Sequence, residues 1–174
     1  MTERIIIAGS GGQGIMLLGK VLAYAAMKQG MEVSWLPCYG AEVRGGTAYC
    51  MVVVSDKEIG SPYVHQADTL MVMNNPSLLK FKKRIKNKGL CIINTSLAVS
   101  AKDIPAIKHP FSEIALKFGN IKVANMVILG CYLAQKKIVD IKTVLKVFQE
   151  IAPADKKDLI AINQKALKEG YKLK

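Results

Sequence analysis

Cysteine, histidine and long apolar runs are scarce in this chain, and each scarcity argues against a class of chemistry. The four cysteines, Cys38, Cys50, Cys91 and Cys131, are nowhere closer than 12 residues. No C-x-x-C occurs, which argues against zinc and iron–sulfur frameworks. Only His65 and His109 could serve acid–base work near neutral pH, and neither sits at metal spacing from a cysteine. Ser/His/Asp patterning, G-x-S-x-G and a P-loop are all missing. No apolar run approaches the ~18 residues of a membrane-crossing helix. The start of the sequence lacks a basic segment followed by an apolar one, so no secretory signal is expected and the cytoplasm is the expected location.

What is present is enough for one core. The chain has 174 residues, 51% of them hydrophobic, and the expectation is a single domain over 1–174. The net charge of +12 is uneven. Residues 1–74 hold 5 basic and 6 acidic side chains, whereas 75–174 hold 20 and 7. The basic part could meet nucleic acid, an acidic protein or a polyanion, or simply be a solvated lysine surface. Around Lys80, Lys82, Lys83, Arg84, Lys86 and Lys88 only Phe81 is an interleaved aromatic, a poor nucleic-acid motif.

The most informative stretch is Ile5-Ile6-Ile7-Ala8-Gly9-Ser10-Gly11-Gly12-Gln13-Gly14. An apolar run stops at a glycine cluster, and helical periodicity (Ile15, Leu18, Leu22, Ala25) follows. This reads as strand, tight turn, helix over about 13–29, ending at Gly30. The first N–H groups of such a helix, with its dipole, favour an anion or a carbonyl oxygen. Gly9, Gly11, Gly12 and Gly14 permit close approach and positive φ. Gly9, Gly11 and Gly14 satisfy G-x-G-x-x-G, but the dinucleotide version also needs a carboxylate at the end of the second strand. That strand, Glu32–Leu36, ends in Leu36-Pro37-Cys38. Either the glycines serve a nucleotide site without its usual partner, or they serve only the crossover.

The next signal is Tyr39-Gly40-Ala41-Glu42-Val43-Arg44-Gly45-Gly46. This connection is longer than joining two strands requires. Arg44 beside Gly45-Gly46 can present a guanidinium and backbone N–H groups to one anion. Glu42 can orient Arg44, activate a group or pair with a partner chain. The alternative is a surface Glu42–Arg44 pair of little energetic weight.

Further strands are expected at 48–54, 69–73 and 90–94, with irregular chain over 95–110. Helices are expected at 77–86, from Phe111, from Val123, after Asp140 and from Leu159. Pro37 should end the second strand. Strands alternating with helices imply an α/β fold: a Rossmann-like three-layer domain, a mostly parallel sheet with helices on both faces and extra C-terminal helices. Residues 9–14 and 37–46 should then share the edge at the strands' carboxyl ends.

Several of these stretches together resemble the gamma subunit of 2-oxoacid:ferredoxin oxidoreductases. They are Gly9 to Gly14, Ser34 to Thr47, Ile59-Gly60-Ser61-Pro62, Asn74-Asn75-Pro76-Ser77, Gly119-Asn120 and Val123-Ala124-Asn125-Met126, spanning about residues 4–131. Cys38 and Ala41 depart from the Ser and Pro of that pattern. The resemblance implies a complex that decarboxylates a 2-oxoacid on thiamine diphosphate and Mg. Electrons pass through iron–sulfur clusters to ferredoxin, and the acyl group goes to coenzyme A. It implies that these groups sit on alpha and beta (or delta) partner chains, that this chain binds none of them, and that membrane and nucleic acid are not partners. Tyr39, Gly40, Glu42, Arg44, Gly45 and Gly46 would face the active site, and Gly9, Gly11, Gly12, Gln13 and Gly14 would offer an anion or interface contact. No catalytic residue and no metal ligand is assigned to this chain. The expected substrate is 2-oxoglutarate, with pyruvate, branched 2-oxoacids and indolepyruvate open. The competing readings are a stand-alone nucleotide- or dinucleotide-binding module and a basic nucleic-acid-binding protein.

Overall fold

A computed structural model describes residues 1–38, 47–99, 105–151 and 157–173. Six strands form one sheet in the order β2-β3-β1-β4-β5-β6. They are β1 (Thr2–Gly9), β2 (Glu32–Cys38), β3 (Ala48–Ser55), β4 (Ala67–Val72), β5 (Ile85–Asn94) and β6 (Ile107–His109). β1 is central because its branched run suits a pleat buried on both faces. Ile5 and Ile7 face one side, and Ile6 and Ala8 face the other. It pairs in parallel with β4 (Ile5↔Thr69) and antiparallel with β3 (Gly9↔Ala48). β4, β5 and β6 continue in parallel.

β3 is the strand that runs the other way. It follows β2 with no intervening helix, so the two pair antiparallel, and β3 inserts between β2 and β1. Five strands therefore share a direction, as expected of a mostly parallel sheet. The expected stop at Pro37 does not occur. β2 is an edge strand bonded only to β3, and a missing N–H on its outer side costs no ladder bond.

Helices cover both faces unequally. α1 (Ile15–Lys28), α3 (Phe111–Leu116), α4 (Ala124–Lys136), α5 (Ile141–Ile151) and α6 (Lys157–Tyr171) build the larger layer. α2 (Asn75–Phe81) contributes Leu78 and Phe81 to the opposite core with Val64 and Ala98. α4 is buried from Ala124 to Leu133, and its Gly130 meets α6 so closely that a Cβ there would lie 2.7 Å from the Tyr171 nitrogen. Gly170 is equally tight against Val127.

Two sequence readings are corrected here. The lysine-rich helix expected to reach residue 86 ends at Phe81 with a 3-10 turn, Lys82–Arg84. Ile85 already begins β5, which absorbs an irregularity in register between Ala67 and Thr69, with Lys88 at φ 67°. Within the expected irregular stretch, three residues form β6. No described helix is long and apolar enough to cross a membrane.

Candidate functional site

The carboxyl ends of β1, β4 and β5 converge on one edge, and the chain leaves each of them through polar residues. After Gly9 the turn folds on itself. The Ser10 N–H donates to Gln13 Oε1 at 2.6 Å, and the Gln13 N–H donates to the Ser10 carbonyl at 3.2 Å. Gln13 therefore spends its side-chain oxygen on its own turn.

The four glycines have different reasons to be glycine. A Cβ on Gly9 would lie 2.6 Å from Gln13 Oε1 and 2.8 Å from Ile15 Cδ1. Gly14 has φ 69°, and a Cβ there would run into the side-chain amide of Asn125. Gly12 has φ 83° but open space around its Cβ position. Gly11 has neither constraint: nothing lies within 4 Å, and its φ is not positive. The chain's own packing thus accounts for Gly9 and Gly14 and backbone conformation for Gly12, and the surface at Gly11 is left open.

α1 starts at this turn with Gly14 as its N-cap and no side-chain cap, and its first turn carries no acidic residue. Its leading N–H groups and positive dipole end are uncompensated by a side chain.

Three asparagines that sequence reasoning did not place in the site hold this edge together. Asn74 caps α2, its Oδ1 accepting the Ser77 N–H at 3.0 Å, while its Nδ2 donates to Ser10 Oγ. Asn125, only 2% exposed at the start of α4, donates from Nδ2 to the Gly14 carbonyl at 3.1 Å. Asn94, fully buried at the end of β5, donates to Ser112 Oγ at 2.9 Å and to the Met73 carbonyl at 3.3 Å. The turn is therefore tied to α2 and α4, and β4 to α3. The sequence cues were the stretches Asn74-Asn75-Pro76-Ser77 and Val123-Ala124-Asn125-Met126, which hold two of the three.

Tyr39, Gly40, Glu42, Arg44, Gly45 and Gly46 lie outside the described residues. Their flanks are placed. Cys38 pairs with Tyr49, and Gly9 pairs with the adjacent Ala48. Both ends of that segment therefore stand at the same edge as the glycine turn.

The donor chemistry of the described residues fits neither a metal nor a cluster. Burial pushes the Cys50 thiol up to about 12, and those of Cys91 and Cys131 up to about 11, so they are neutral thiols in separate parts of the core. No group of three His, Cys, Asp or Glu side chains gathers among the described residues. A cleft of about 100 Å³ opens beside the turn, lined by Gly12, Gln13, Met73, Leu97, Ile121 and Ala124, with Ser112 and Lys122.

The family described as pyruvate ferredoxin/flavodoxin oxidoreductase matches residues 4–173. Ketoisovalerate oxidoreductase subunit VorA of Methanothermobacter thermautotrophicus is 42% identical over 132 residues, 75% of this chain. The chain spans only 28% of that protein's length. The 2-oxoglutarate synthase subunit KorC of the same organism is 32% identical over 171 residues, covering 91% of this chain and 90% of that one. Among solved structures, the gamma subunit of a keto/oxoacid ferredoxin oxidoreductase from Geobacter sulfurreducens superposes with a TM-score of 0.84 at 26% identity. It covers 98% of this chain and 96% of its own.

Proposed function

The chain belongs to the pyruvate ferredoxin/flavodoxin oxidoreductase family, and on that premise we propose that it is the gamma subunit of a 2-oxoacid:ferredoxin oxidoreductase. The proposed complex converts a 2-oxoacid, coenzyme A and oxidised ferredoxin into acyl-CoA, carbon dioxide and reduced ferredoxin. The observation that carries the reading is the match to KorC, which runs nearly end to end in both chains. The proposed gamma-type domain spans 1–174 as one unit.

In this reading thiamine diphosphate, Mg and the iron–sulfur clusters sit on alpha and beta (or delta) chains. The scattered neutral thiols of this chain support that division, because a cluster needs gathered thiolates. Those cofactors supply the decarboxylation and electron-transfer chemistry. This chain's residues shape the wall around it. Gly11 offers an open backbone surface, and the first turn of α1 offers its N–H groups to a carbonyl or anion at that wall. The segment 39–46 joins Cys38 to Thr47, and both of its described flanks stand at that edge. Arg44 there would face a carboxylate or phosphate, with Glu42 orienting it.

The proposed substrate is 2-oxoglutarate, supported by the end-to-end KorC likeness. A second reading, a branched 2-oxoacid, is favoured by the higher identity to VorA. Co-expression with genes for the proposed alpha and beta chains tests both. The complex should reduce ferredoxin only with a 2-oxoacid and CoA present, and the isolated chain should be inactive. Comparing kcat/KM for 2-oxoglutarate, 2-oxoisovalerate, pyruvate and indolepyruvate ranks the substrates. Full activity of the isolated chain, or failure to co-purify with those partners, overturns the reading.

A further inference from the structure

The stretch Ile59-Gly60-Ser61-Pro62 has no task at the glycine-turn edge, and it stands over a second cleft at the other end of β1. At about 330 Å³ this cleft lies within the ~300–1,000 Å³ of small-molecule sites. Thr2 and Arg4 of β1, with Ser55 and Val53 directly across from them on β3, form its floor. Glu58, Ile59, Ser61 and Tyr63 form its wall.

The wall is fixed from behind. Val64 is fully buried, and its N–H donates to Met51 Sδ at 3.2 Å. The Tyr63 ring meets the His65 ring edge-on at 4.6 Å, and the Arg84 guanidinium lies 5.2 Å from its centre. Arg84 itself donates to the Val64 and His65 carbonyls. A cleft shaped in advance spares a ligand the entropy of ordering it.

The polar groups of the cleft are of two kinds. Arg4 spends its main-chain N–H on Asp68 Oδ2 at 2.9 Å. No ion pair among the described residues engages its guanidinium or the Glu58 carboxylate. One cation and one anion therefore line the same cleft without neutralising each other. The hydroxyls add donors. Ser61 Oγ accepts the Tyr63 N–H at 3.2 Å and Ser55 Oγ accepts the Lys57 N–H at 3.1 Å, while Thr2 and Ser55 share one proton at 2.9 Å. Ser61 and one member of the Thr2–Ser55 pair each keep a proton to donate. Val53 and Ile59 supply apolar surface between these groups.

A complementary ligand carries a carboxylate and an ammonium group side by side, with an apolar remainder. We propose that this cleft binds a free α-amino acid with an apolar side chain. Arg4 and the spare hydroxyl protons hold its carboxylate, Glu58 holds its ammonium group, and Val53, Ile59 and the Tyr63 ring hold its side chain. Glu58 sets the selectivity. A 2-oxoacid has the same carboxylate but a carbonyl oxygen where the amino acid has its ammonium group, and Glu58 would meet that oxygen acceptor to acceptor. The cleft thus separates the aminated form of a compound from its oxo form, whether or not the chain is a gamma subunit.

Isothermal titration calorimetry of the full chain with L-valine, L-leucine, L-methionine and L-phenylalanine tests this. At least one should bind saturably, and its own 2-oxoacid should bind about tenfold more weakly or worse. Arg4→Gln and Glu58→Gln, both at exposed positions, should each weaken binding about tenfold or more, because each removes a charge-assisted contact. Glu113→Gln, on α3 away from the cleft, should leave it unchanged. Thermal unfolding of each variant reports whether it folds. Should Arg4→Gln fold poorly, Glu58→Gln, in the loop after β3, carries the comparison. Absence of saturable binding by all four amino acids up to about 10 mM overturns the proposal. Binding that survives the substitutions overturns it as well, as does a 2-oxoacid that binds as tightly as its amino acid. Each of these outcomes leaves the subunit assignment standing, because co-purification tests that separately.

Discussion

Replacing Gly14 by alanine should be among the most damaging single-methyl changes in the chain, and its cost can be worked from three terms. Gly14 sits at φ 69°, where a residue with a Cβ pays about 1–2 kcal/mol. The new methyl would occupy the place of the Asn125 amide, with Asn125 Cγ at 3.0 Å. Asn125 must then move, and its bond to the Gly14 carbonyl is lost. A buried amide left unpaired costs about 1–3 kcal/mol. Alanine returns about 0.4–1 kcal/mol by restricting the unfolded chain. The net loss is about 1–5 kcal/mol, centred near 3, or about 5–12 °C in Tm at that centre for a domain of this size. Far-UV circular dichroism of purified variants is sufficient, with Gly11→Ala as the internal control. Gly11 has neither strain nor neighbours, so that variant should stay within about 2 °C of the parent. The double variant Gly14→Ala/Asn125→Ala should be less damaged than the two singles added together. Asn125→Ala removes the obstruction but not the backbone strain. If Gly14→Ala melts with the parent, or the double variant is strictly additive, the assigned geometry of the turn is wrong.

Other outcomes follow from the same structure. Gly170→Ala should cost about 3 kcal/mol or more, seen as a lower denaturation midpoint, because the Cβ meets Val127 backbone rather than a side chain that can rotate away. Brief alkylation of the folded chain at pH 8 should label Cys38, which is half-buried, and spare Cys50, Cys91 and Cys131, as peptide mass spectrometry would show. Those three thiols have folded values above their ordinary 9.0, so the unfolded state loses their protons first. Their contribution is intact below about pH 9 and is lost as pH rises toward 11 to 12, measurable as a falling denaturation midpoint across that window. In the assembled complex, Arg44→Ala should lower turnover or raise KM for the 2-oxoacid or CoA. Unchanged values with assembly intact would leave Arg44 a surface residue.

Legibility in the sequence depended on whether a signal was periodic. The runs at Ile5–Ala8, Ala48–Val54 and Thr69–Met73 became β1, β3 and β4, because burial on both faces leaves an unmistakable apolar block. The helices from α3 onward were legible from their spacing. Ile85 and Lys86 were misread as helix because the lysine-rich run carries no apolar face, and only pairing with β4 makes this segment strand. Pro37 misled because propensity knows nothing of which strand is an edge. In the site, the glycine turn was legible, but the distinct tasks of Gly9, Gly11, Gly12 and Gly14 were not. Those tasks are set by the φ of Gly12 and Gly14, by Gln13 and Ile15 packed on Gly9, and by Met73 and Asn125, which are far away in sequence. Asn74 and Asn125 stood in stretches that carried the resemblance but were not assigned to the site, and Asn94 had no signal, because a single amide has no period. Their meaning comes from the elements they join.

The glycine contact between α4 and α6 also governs the order in which this molecule can be assembled. Gly130 and Gly170 are 40 residues apart, and α4 is apolar around almost its whole circumference. Until α6 arrives, the groove over Val127 and Gly130 stays open to water, whatever the state of the sheet beneath. Loop-closure entropy must be met before that contact gives any return. A nascent chain released before residue 170 would expose a sticky helix, making it a natural client for a chaperone during synthesis.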